Sequence, residues 1–267
     1  MNGILLVDKP AGWTSHDVVA KLRGVLGERR MGHSGTLDPM ATGLLVVFAG
    51  RATRAVSFSE NHTKCYEAHL RLGLTTDTQD TTGTVLSRAE RAVSRAELEA
   101  VLPQFRGDIL QVPPMYSALK VDGKKLYEIA RRGGEVARKA RPITIEELTV
   151  LGEADGDYIL RVRCSKGTYI RTLCHDIGAA LGCGGVMSAL RRTASIASML
   201  RRGSFSCLRR SRTAQPSRSK VFSRFRNVWK TRNVSLLWAF LTASTSVTPR
   251  SCAARSRVPR RWAPSPR

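Results

Sequence analysis

The distribution of charge divides this sequence sharply at about residue 194. Of its 44 Lys and Arg residues, 17 lie in residues 194–267, where there is no Asp or Glu. Residues 1–193 hold the other 27 together with all 21 acidic residues, which gives a net charge of +6. At the usual acidic share of roughly one residue in eight, so long a stretch without a carboxylate is improbable for a folded domain. A folded domain is therefore expected over 1–193, and a mostly disordered tail beyond it.

Two interpretations of this basic tail remain open. The first is an arm that binds nucleic acid through its arginines. The second is a shifted reading frame in a GC-rich gene. The second is favoured because side chains of the type usually buried, such as Trp238 and Phe240, are scattered through the charge run without periodic context.

Residues 1–193 alternate short apolar segments with turn signals, which predicts an α+β domain dominated by strands. Capping signatures at Thr14–Asp17 and Ser94–Glu97 each precede apolar residues at helical spacing, and Pro103 is expected to close the second helix. A third helix is predicted over Tyr169–Leu181. Strands are predicted over five segments: Ile4–Val7, Leu44–Ala49, Cys65–Leu72, Ile143–Leu151 and Tyr158–Cys164.

Several classes of protein are disfavoured by the composition. No secretory signal is recognisable at the N-terminus, and no segment reaches the roughly 18 uninterrupted apolar residues of a membrane span. The six cysteines form no C-x-x-C pair and have no matching histidine spacing, which argues against a zinc site or a disulfide framework. A cytoplasmic protein without a metal is expected.

The segment Gly32–Gly43 is the densest chemical signal in the chain. Its three glycines and one proline predict an extended loop whose backbone can approach a ligand closely. Asp38 is the only carboxylate within it, and Pro39 biases Asp38 away from helical backbone. The spacing alone leaves two interpretations open: a loop that presents a single acid, and an ordinary Asp-Pro turn.

Six segments, in order along the chain, resemble motifs of the TruB family of tRNA pseudouridine synthases. The family patterns are DKPxGxTS, GHxGxLDPxATG, K-x-Y, TDTxDxxG, PPMYSALK and KGTYIR. The matching segments are Asp8–Ser15, Gly32–Gly43, Lys64–Glu67, Thr76–Gly83, Pro113–Lys120 and Lys166–Arg171. The likeness covers about 190 residues and implies a mixed, mainly antiparallel sheet with flanking helices.

The resemblance also implies roles for individual residues. Asp38 corresponds to the essential carboxylate, and Arg171 to the arginine that pairs with it and stabilises its ionised form. Tyr66 corresponds to the aromatic that stacks on the target uracil, while Tyr169 and Leu190 correspond to pocket walls. His33 corresponds to a histidine that helps to receive the RNA, and Lys9 to a residue that supports the catalytic loop.

The function implied is isomerisation of the T-loop uridine at position 55 of tRNA, after the nucleotide is flipped out of its stack. No cofactor is expected, the partner is the T-arm of tRNA, and a monomer is expected. Asp38 is either a nucleophile or a base at the ribose, and the sequence does not separate the two. Two other hypotheses are a noncatalytic tRNA-binding or remodelling protein and, with less support, a nucleoside hydrolase.

The recognisable resemblance stops at Thr193. In the family, a glycine-x-phenylalanine strand and a small C-terminal RNA-binding domain usually follow this point. Directly after Thr193 this chain instead has Ala194-Ser195-Ile196-Ala197-Ser198, and no family pattern is identified beyond them. The expected division is therefore a catalytic domain over 1–193 and a basic tail over 194–267, with the final strand of the sheet in doubt.

Overall fold

A computed structural model describes residues 1–60, 62–121, 123–195 and 236–237 of the chain. These residues form a mixed α+β fold with a large, mainly antiparallel sheet, which confirms the predicted class. The strands are β1 (Gly3–Lys9), β2 (Met31–Ser34), β3 (Thr42–Ala49), β4 (Lys64–Leu72), β5 (Leu74–Thr76), β6 (Val85–Arg88), β7 (Gly107–Gln111), β8 (Lys120–Val121), β9 (Lys124–Lys125), β10 (Arg141–Ala154), β11 (Asp157–Cys164), β12 (Gly185–Ala194) and β13 (Leu236–Leu237). The α-helices are α1 (Ser15–Leu26), α2 (Val56–Glu60), α3 (Arg95–Val101), α4 (Leu126–Ala130) and α5 (Ile170–Ala180).

The large sheet has the strand order β13-β1-β3-β12-β4-β11-β10-β7, and β2 adds a second pairing to β3. Every neighbouring pair is antiparallel except β3 and β12, which run parallel and place Arg191 opposite Thr42 and Arg192 opposite Gly43. A Cβ at Gly43, whose φ is +97°, would lie 2.3 Å from the Arg192 carbonyl oxygen, so this close approach requires glycine. Strand β12 therefore joins the two halves of the sheet beside the end of the acid-bearing loop.

All five predicted strands and all three predicted helices are present. Capping boxes begin α1 at Thr14 and α3 at Ser94. In each, the hydroxyl accepts from the backbone amide three residues on, and the carboxylate of that residue accepts from the backbone amide of the capping residue. Helix α3, the second predicted helix, ends at Val101, just before Pro103 as predicted, and the chain continues as a 3₁₀ turn over Leu102–Phe105. Proline near the start of such a turn costs little, since its missing N–H would have no partner there.

The segment Gly32–Gly43 was predicted to be an extended loop throughout, and its two ends correct that prediction. Gly32, His33 and Ser34 belong to β2 and pair with β3, while Thr42 and Gly43 already lie in β3. The pairing of β2 with β3 depends on backbone hydrogen bonds. Glycine has no side chain, so these residues leave no alternation of apolar and polar side chains from which the sequence could predict the strand ends. The true loop is Gly35–Ala41.

The sequence also gave no indication of β12, although this strand lies at the centre of the sheet. Its register shifts between Met187 and Ala189 against β4, which breaks the alternation of buried and exposed side chains. The buried side chain of Arg192, near the C-terminal end of the strand, further obscures the apolar pattern, and the buried Ser195 follows the strand directly. Strand periodicity is weakest where a strand carries polar side chains inward.

Apolar packing holds helices α1 and α5 against the two halves of the sheet. Helix α1 packs Val18, Val19 and Leu22 against β1 and β3. A larger core forms between β4, β10, β11, β12 and the buried side of α5, which contributes Ile170, Leu173 and Ile177 among others. Burial of such side chains contributes about 1.5–3 kcal/mol each and fixes the N-termini of α1 and α5 relative to the sheet.

The predicted tail falls almost entirely outside the described residues. Strand β12 ends at Ala194, and of residues 196–267 only Leu236 and Leu237 are described, paired antiparallel with Val7 and Leu6 of β1. The predicted disorder and the two interpretations of the basic run therefore stay predictions. Among the described residues, no helix is long and apolar enough to cross a membrane.

Candidate active site

The loop Gly35–Ala41 presents Asp38 between β2 and β3, and α1 anchors it from one side. The hydroxyl of Ser15, in the first turn of α1, accepts from the Leu37 amide at 2.9 Å and donates to the Leu37 carbonyl at 3.2 Å. Ser15 is buried, so both bonds are shielded from water. The residue immediately before Asp38 is thereby fixed in position.

A buried lysine anchors the other side of the loop. Lys9 is fully buried, and its ammonium donates to the carbonyls of Pro39 at 3.1 Å, Pro10 at 2.9 Å and Trp13 at 2.6 Å. Burial lowers the pKa of Lys9 to about 8, although the carboxylate of Asp38 acts in the opposite direction. The Gly12 amide also donates to Pro39, at 2.9 Å. This arrangement agrees with the supporting role implied for Lys9.

Asp38 and Arg171 form a bidentate ion pair. Nε of Arg171 donates to Oδ2 of Asp38 at 2.9 Å, and Nη2 donates to Oδ1 at 3.2 Å. The side chain of Arg171 is 7% exposed and that of Asp38 is 36% exposed. The cation is therefore enclosed by protein while the carboxylate remains accessible, and the bidentate geometry fixes the orientation of that carboxylate.

Two further loops fix the orientation of the Arg171 guanidinium. Nη1 donates to the carbonyl of Thr78 at 3.0 Å, and Nη2 donates to the carbonyl of Tyr116 at 2.9 Å. The buried carboxylate of Asp80 lies 3.8 Å from Nε. Thr78 and Asp80 lie in the TDTxDxxG segment and Tyr116 in the PPMYSALK segment, to which the sequence alone assigned no individual role. The structure shows that both segments converge on Arg171.

Backbone strain occurs in the same place. Gln79 lies between Thr78 and Asp80 and adopts a left-handed φ of 63°. Its side-chain oxygen accepts from the Thr172 hydroxyl of α5 at 2.7 Å, and its carbonyl accepts from the Met187 amide of β12 at 3.1 Å. Such a conformation costs of order 1–3 kcal/mol and persists only where the surroundings enforce it. It directs the Thr78 carbonyl to the guanidinium.

The two predicted tyrosines lie close enough to Asp38 for its charge to influence them. Tyr66 of β4 is 8% exposed, and burial raises its pKa to about 12. Tyr169 precedes α5, and burial also raises its pKa. The side-chain amide of Gln111 holds the Tyr169 backbone by accepting from its amide at 2.9 Å and donating to its carbonyl at 3.1 Å. Burial therefore favours the neutral form of both phenols.

Leu190 and His33 complete the predicted set. Leu190 lies on β12 with 7% of its surface exposed, and its carbonyl accepts from the Thr42 hydroxyl at 3.4 Å. His33 lies on β2 opposite Val47, five residues before Asp38. Sequence reasoning missed Arg192, which is 1% exposed and donates to loop carbonyls, and Gln111. Nothing in the sequence separates Arg192 from its neighbour Arg191, and only strand register does so.

Comparison with known proteins assigns this chain to a family. The profile of the N-terminal domain of TruB family pseudouridylate synthases matches residues 23–170. The chain belongs to the TruB family. A second profile, the C-terminal domain of tRNA pseudouridylate synthase B, matches residues 171–223. This second match extends beyond Thr193, into residues in which the six motifs had no continuation.

Individual relatives support this assignment to the TruB family. The chain is 52% identical over 194 residues to the tRNA pseudouridine synthase B of Azoarcus sp. (strain BH72), covering 73% of this chain and 65% of that protein. The tRNA pseudouridine synthase B of Syntrophotalea carbinolica is 52% identical, covering 73% of this chain and 64% of that protein. The protein of the same name from Opitutus terrae is 50% identical, covering 73% of this chain and 81% of that protein. The matched part thus spans just under two thirds of the first two relatives.

Solved structures show the same fold. One described as a Cbf5-Nop10-Gar1 complex matches with a TM-score of 0.57 and 35% identity, covering 72% of this chain and 48% of that one. Another, an H/ACA RNP bound to a substrate RNA containing 2′-deoxyuridine, matches with a TM-score of 0.54 and 32% identity, covering 72% and 47%. The fold of this TruB family chain is that of a pseudouridine synthase catalytic domain.

Proposed function

We propose that this chain converts the T-loop uridine at position 55 of tRNA into pseudouridine, with Asp38 as the essential carboxylate. The observation that carries the proposal is the Asp38–Arg171 pair, in which a buried arginine, hydrogen-bonded through all three of its side-chain nitrogens, holds an accessible carboxylate in the middle of the loop Gly35–Ala41. The family and the relatives named tRNA pseudouridine synthase B support the reaction and the substrate class. We place the catalytic unit in residues 1–193, acting as a monomer in the cytoplasm.

The reaction breaks the N1–C1′ bond of the uridine and joins C5 of the same uracil to C1′. The hydrogen on C5 is lost and N1 gains one, so the product is an isomer of the substrate. Because atoms are rearranged within one nucleotide and there is no net oxidation, the reaction consumes no oxidant, reductant or second substrate, and the proton lost from C5 is balanced by the one that N1 gains. Asp38 would serve either as the nucleophile or as the base, and both roles use the same charge state.

Access to the uracil requires the nucleotide to leave its stack, at a cost of a few kcal/mol. Tyr66 would offset this cost by stacking on the extruded base, at about 1–3 kcal/mol per stack. Tyr169 and Leu190 would form walls of the pocket, and His33 would contact the RNA that enters beside the loop. The net charge of +6 over residues 1–193 favours phosphate contacts, so RNA binding should weaken as salt is raised.

The experiment compares the full chain with its Asp38→Asn variant on an unmodified tRNA transcript, mapping pseudouridine by carbodiimide treatment and primer extension. We expect one T-loop stop with the wild type and none with the variant. Glu146→Gln is the matched control, because Glu146 is also ion-paired, to Arg163 at 2.7 Å, and also 36% exposed. It should leave the stop intact.

Three results would contradict the proposal in different ways. A stop outside the T-loop would overturn the substrate position and keep the reaction. An unchanged stop with Asp38→Asn would remove Asp38 from its role. RNA binding without any stop would favour the noncatalytic tRNA-binding hypothesis, and free uracil would favour the nucleoside hydrolase.

A further inference from the structure

Arg192 is a buried cation that contacts both ends of the segment carrying Asp38. Its side chain is among the largest fully buried ones, with 1% of the residue exposed. Nη2 donates to the carbonyl of Gly35 at 2.9 Å, and Nε donates to the carbonyl of Leu44 at 2.7 Å. Gly35 lies three residues before Asp38 and Leu44 six residues after it, so one guanidinium links the first residue of the loop to the strand β3 that follows the loop.

We infer that Arg192 is a positioning residue that holds the Asp38 loop and the Tyr66 ring in one rigid arrangement; this inference rests on the proposed function. Tyr66 of β4 lies directly opposite Arg192 of β12 in the sheet, so the two side chains project from the same face. The positive charge of the guanidinium opposes the burial-driven rise of the Tyr66 pKa. The rigid, planar guanidinium of Arg192 thus contacts the Gly35 and Leu44 carbonyls and faces Tyr66. A guanidinium suits this task because its donors have a fixed geometry, which a lysine ammonium does not reproduce.

Glycine at position 35 allows the loop to approach Arg192. Gly35 has a φ of +70°, and a Cβ there would lie 3.1 Å from Nη1 of Arg192 and 3.1 Å from Cε of Lys64. Both contacts are tighter than ordinary van der Waals packing, so a larger residue would push the loop away from its support. The glycine of the GHxGxLDP pattern is therefore matched to the buried arginine, which lies more than 150 residues away in sequence.

The cost of burying Arg192 argues against a role in stability alone. Nη1 is buried and makes no well-formed hydrogen bond with the described residues. An incompletely paired buried cation is expensive, and replacement by an apolar side chain of similar volume is often neutral or stabilising for a fold. A buried guanidinium of this kind therefore fits a role in the position of the loop better than a role in the free energy of unfolding.

Arg191 offers a matched control on the same strand. Its side chain is 49% exposed and pairs with Asp8 at 2.8 Å on the surface. The two arginines are adjacent, identical in type and separated only by the side of β12 from which they project. Substitutions at 191 therefore report the loss of one arginine from this strand without loss of the contacts to the loop.

The experiment measures single-turnover pseudouridine formation, RNA affinity, thermal unfolding and amide hydrogen exchange for Arg192→Lys, Arg192→Met and Arg191→Lys. Leu148→Ala, in the buried core on β10, provides a fold destabilised away from the loop. We expect Arg192→Lys to slow the saturated rate on the order of 100-fold, the scale of a misplacement by about 1 Å, with RNA affinity close to that of the wild type. Exchange in residues 35–44 should accelerate, while exchange in α5 stays unchanged.

The outcomes separate positioning from stability. The positioning role is supported if Arg192→Lys is slow while Leu148→Ala, with an equal loss of thermal stability, keeps the wild-type rate. Arg192→Met repeats the test with a side chain that cannot donate to the two carbonyls. Wild-type exchange in 35–44 together with a wild-type rate in both Arg192 variants would overturn the inference. A wild-type chain that makes no pseudouridine would overturn the proposed function instead, and the exchange comparison would still decide whether Arg192 orders the loop.

Discussion

Two bidentate Arg–Asp pairs in this molecule have opposite exposure. In the Asp38–Arg171 pair, the arginine is 7% exposed and the carboxylate 36%. In the Arg71–Asp157 pair, which joins β4 to β11 at 2.6 and 3.0 Å, the arginine is 42% exposed and the carboxylate 4%. The hydroxyl of Ser188 on β12 also donates to Asp157, so that carboxylate is enclosed by three strands.

The difference shows how the same interaction serves two purposes. A buried carboxylate surrounded by donors has no free position for a substrate, and its bonds hold strands together. An exposed carboxylate supported from behind by a buried arginine keeps an accessible face, and its charge is maintained by a group that does not move. Exposure, more than the ion pair itself, therefore distinguishes the candidate catalytic acid from a structural one.

The largest expected effect comes from neutralising the exposed carboxylate. Asp38→Asn should lower the single-turnover rate by at least ~10³-fold, the scale on which removal of an essential catalytic group acts. Its thermal unfolding should change less than that of Asp157→Asn, because the Asp38 side chain is partly solvated in the folded state. Single-turnover kinetics and calorimetry on the same preparation provide the measurement. A rate for Asp38→Asn within tenfold of the wild type would show that Asp38 is not essential, and the two ion pairs would then not differ in function.

The next effect tests whether the buried arginine contributes geometry as well as charge. Arg171→Lys keeps the positive charge but loses the fork that bonds Asp38, Thr78 and Tyr116 together. We expect the rate to fall by about 10²-fold at saturating RNA, while RNA affinity stays near that of the wild type. Arg163→Lys, in the exposed pair with Glu146, is the control. Equal losses in the two variants would mean that general instability, rather than the guanidinium geometry at Asp38, is responsible.

The structural pair should respond in the opposite way. Asp157→Asn should lower the free energy of unfolding by about 1–3 kcal/mol, because an amide cannot accept from Arg71 and Ser188 as the carboxylate does. The single-turnover rate of the folded fraction should be unchanged. Urea unfolding followed by activity at low urea tests both statements. A variant of wild-type stability and reduced rate would show that the strand clamp acts on the active site.

The smallest effect concerns Lys9, the buried cation beneath Pro39. Its pKa is lowered from 10.5 to about 8 in the folded protein, so between these values the unfolded chain holds a proton that the folded chain has lost. The free energy of unfolding should therefore gain about 1 kcal/mol per pH unit from Lys9 as pH rises through this window. Below pH 8 both states are charged and the contribution is constant.

The measurement for Lys9 is the difference in unfolding free energy between the wild type and Lys9→Met from pH 7 to 10.5. Subtracting the variant removes the titration of other lysines and tyrosines, and Lys21→Met, at an exposed position, serves as a second reference. The difference should increase with pH in favour of the wild type. A difference that is flat, or that decreases, would mean that the three carbonyls near Lys9 compensate fully for its burial.

The sequence by itself determined much of this protein. Capping residues and apolar spacing located α1, α3 and α5, because these signals are local. The five predicted strands followed from runs of apolar residues, and the six motifs brought Asp38 and Arg171 into one candidate site although they are 133 residues apart. Residue type and order were sufficient for these features, since each depends on a short segment or on a family pattern.

Only the tertiary structure decided which polar side chains are buried. Arg191 and Arg192 are chemically identical neighbours, yet the bulged register of β12 exposes one and buries the other against Gly35 and Leu44. Asp38 and Asp157 also differ in exposure, although each forms a bidentate pair with an arginine: Asp38 is the more exposed partner of its pair and Asp157 the more buried partner. Exposure depends on the pairing of distant strands, where a shift of one residue turns a side chain to the opposite face of the sheet. No local pattern encodes that register, which decides that Arg192 rather than Arg191 is buried beside the loop that carries Asp38.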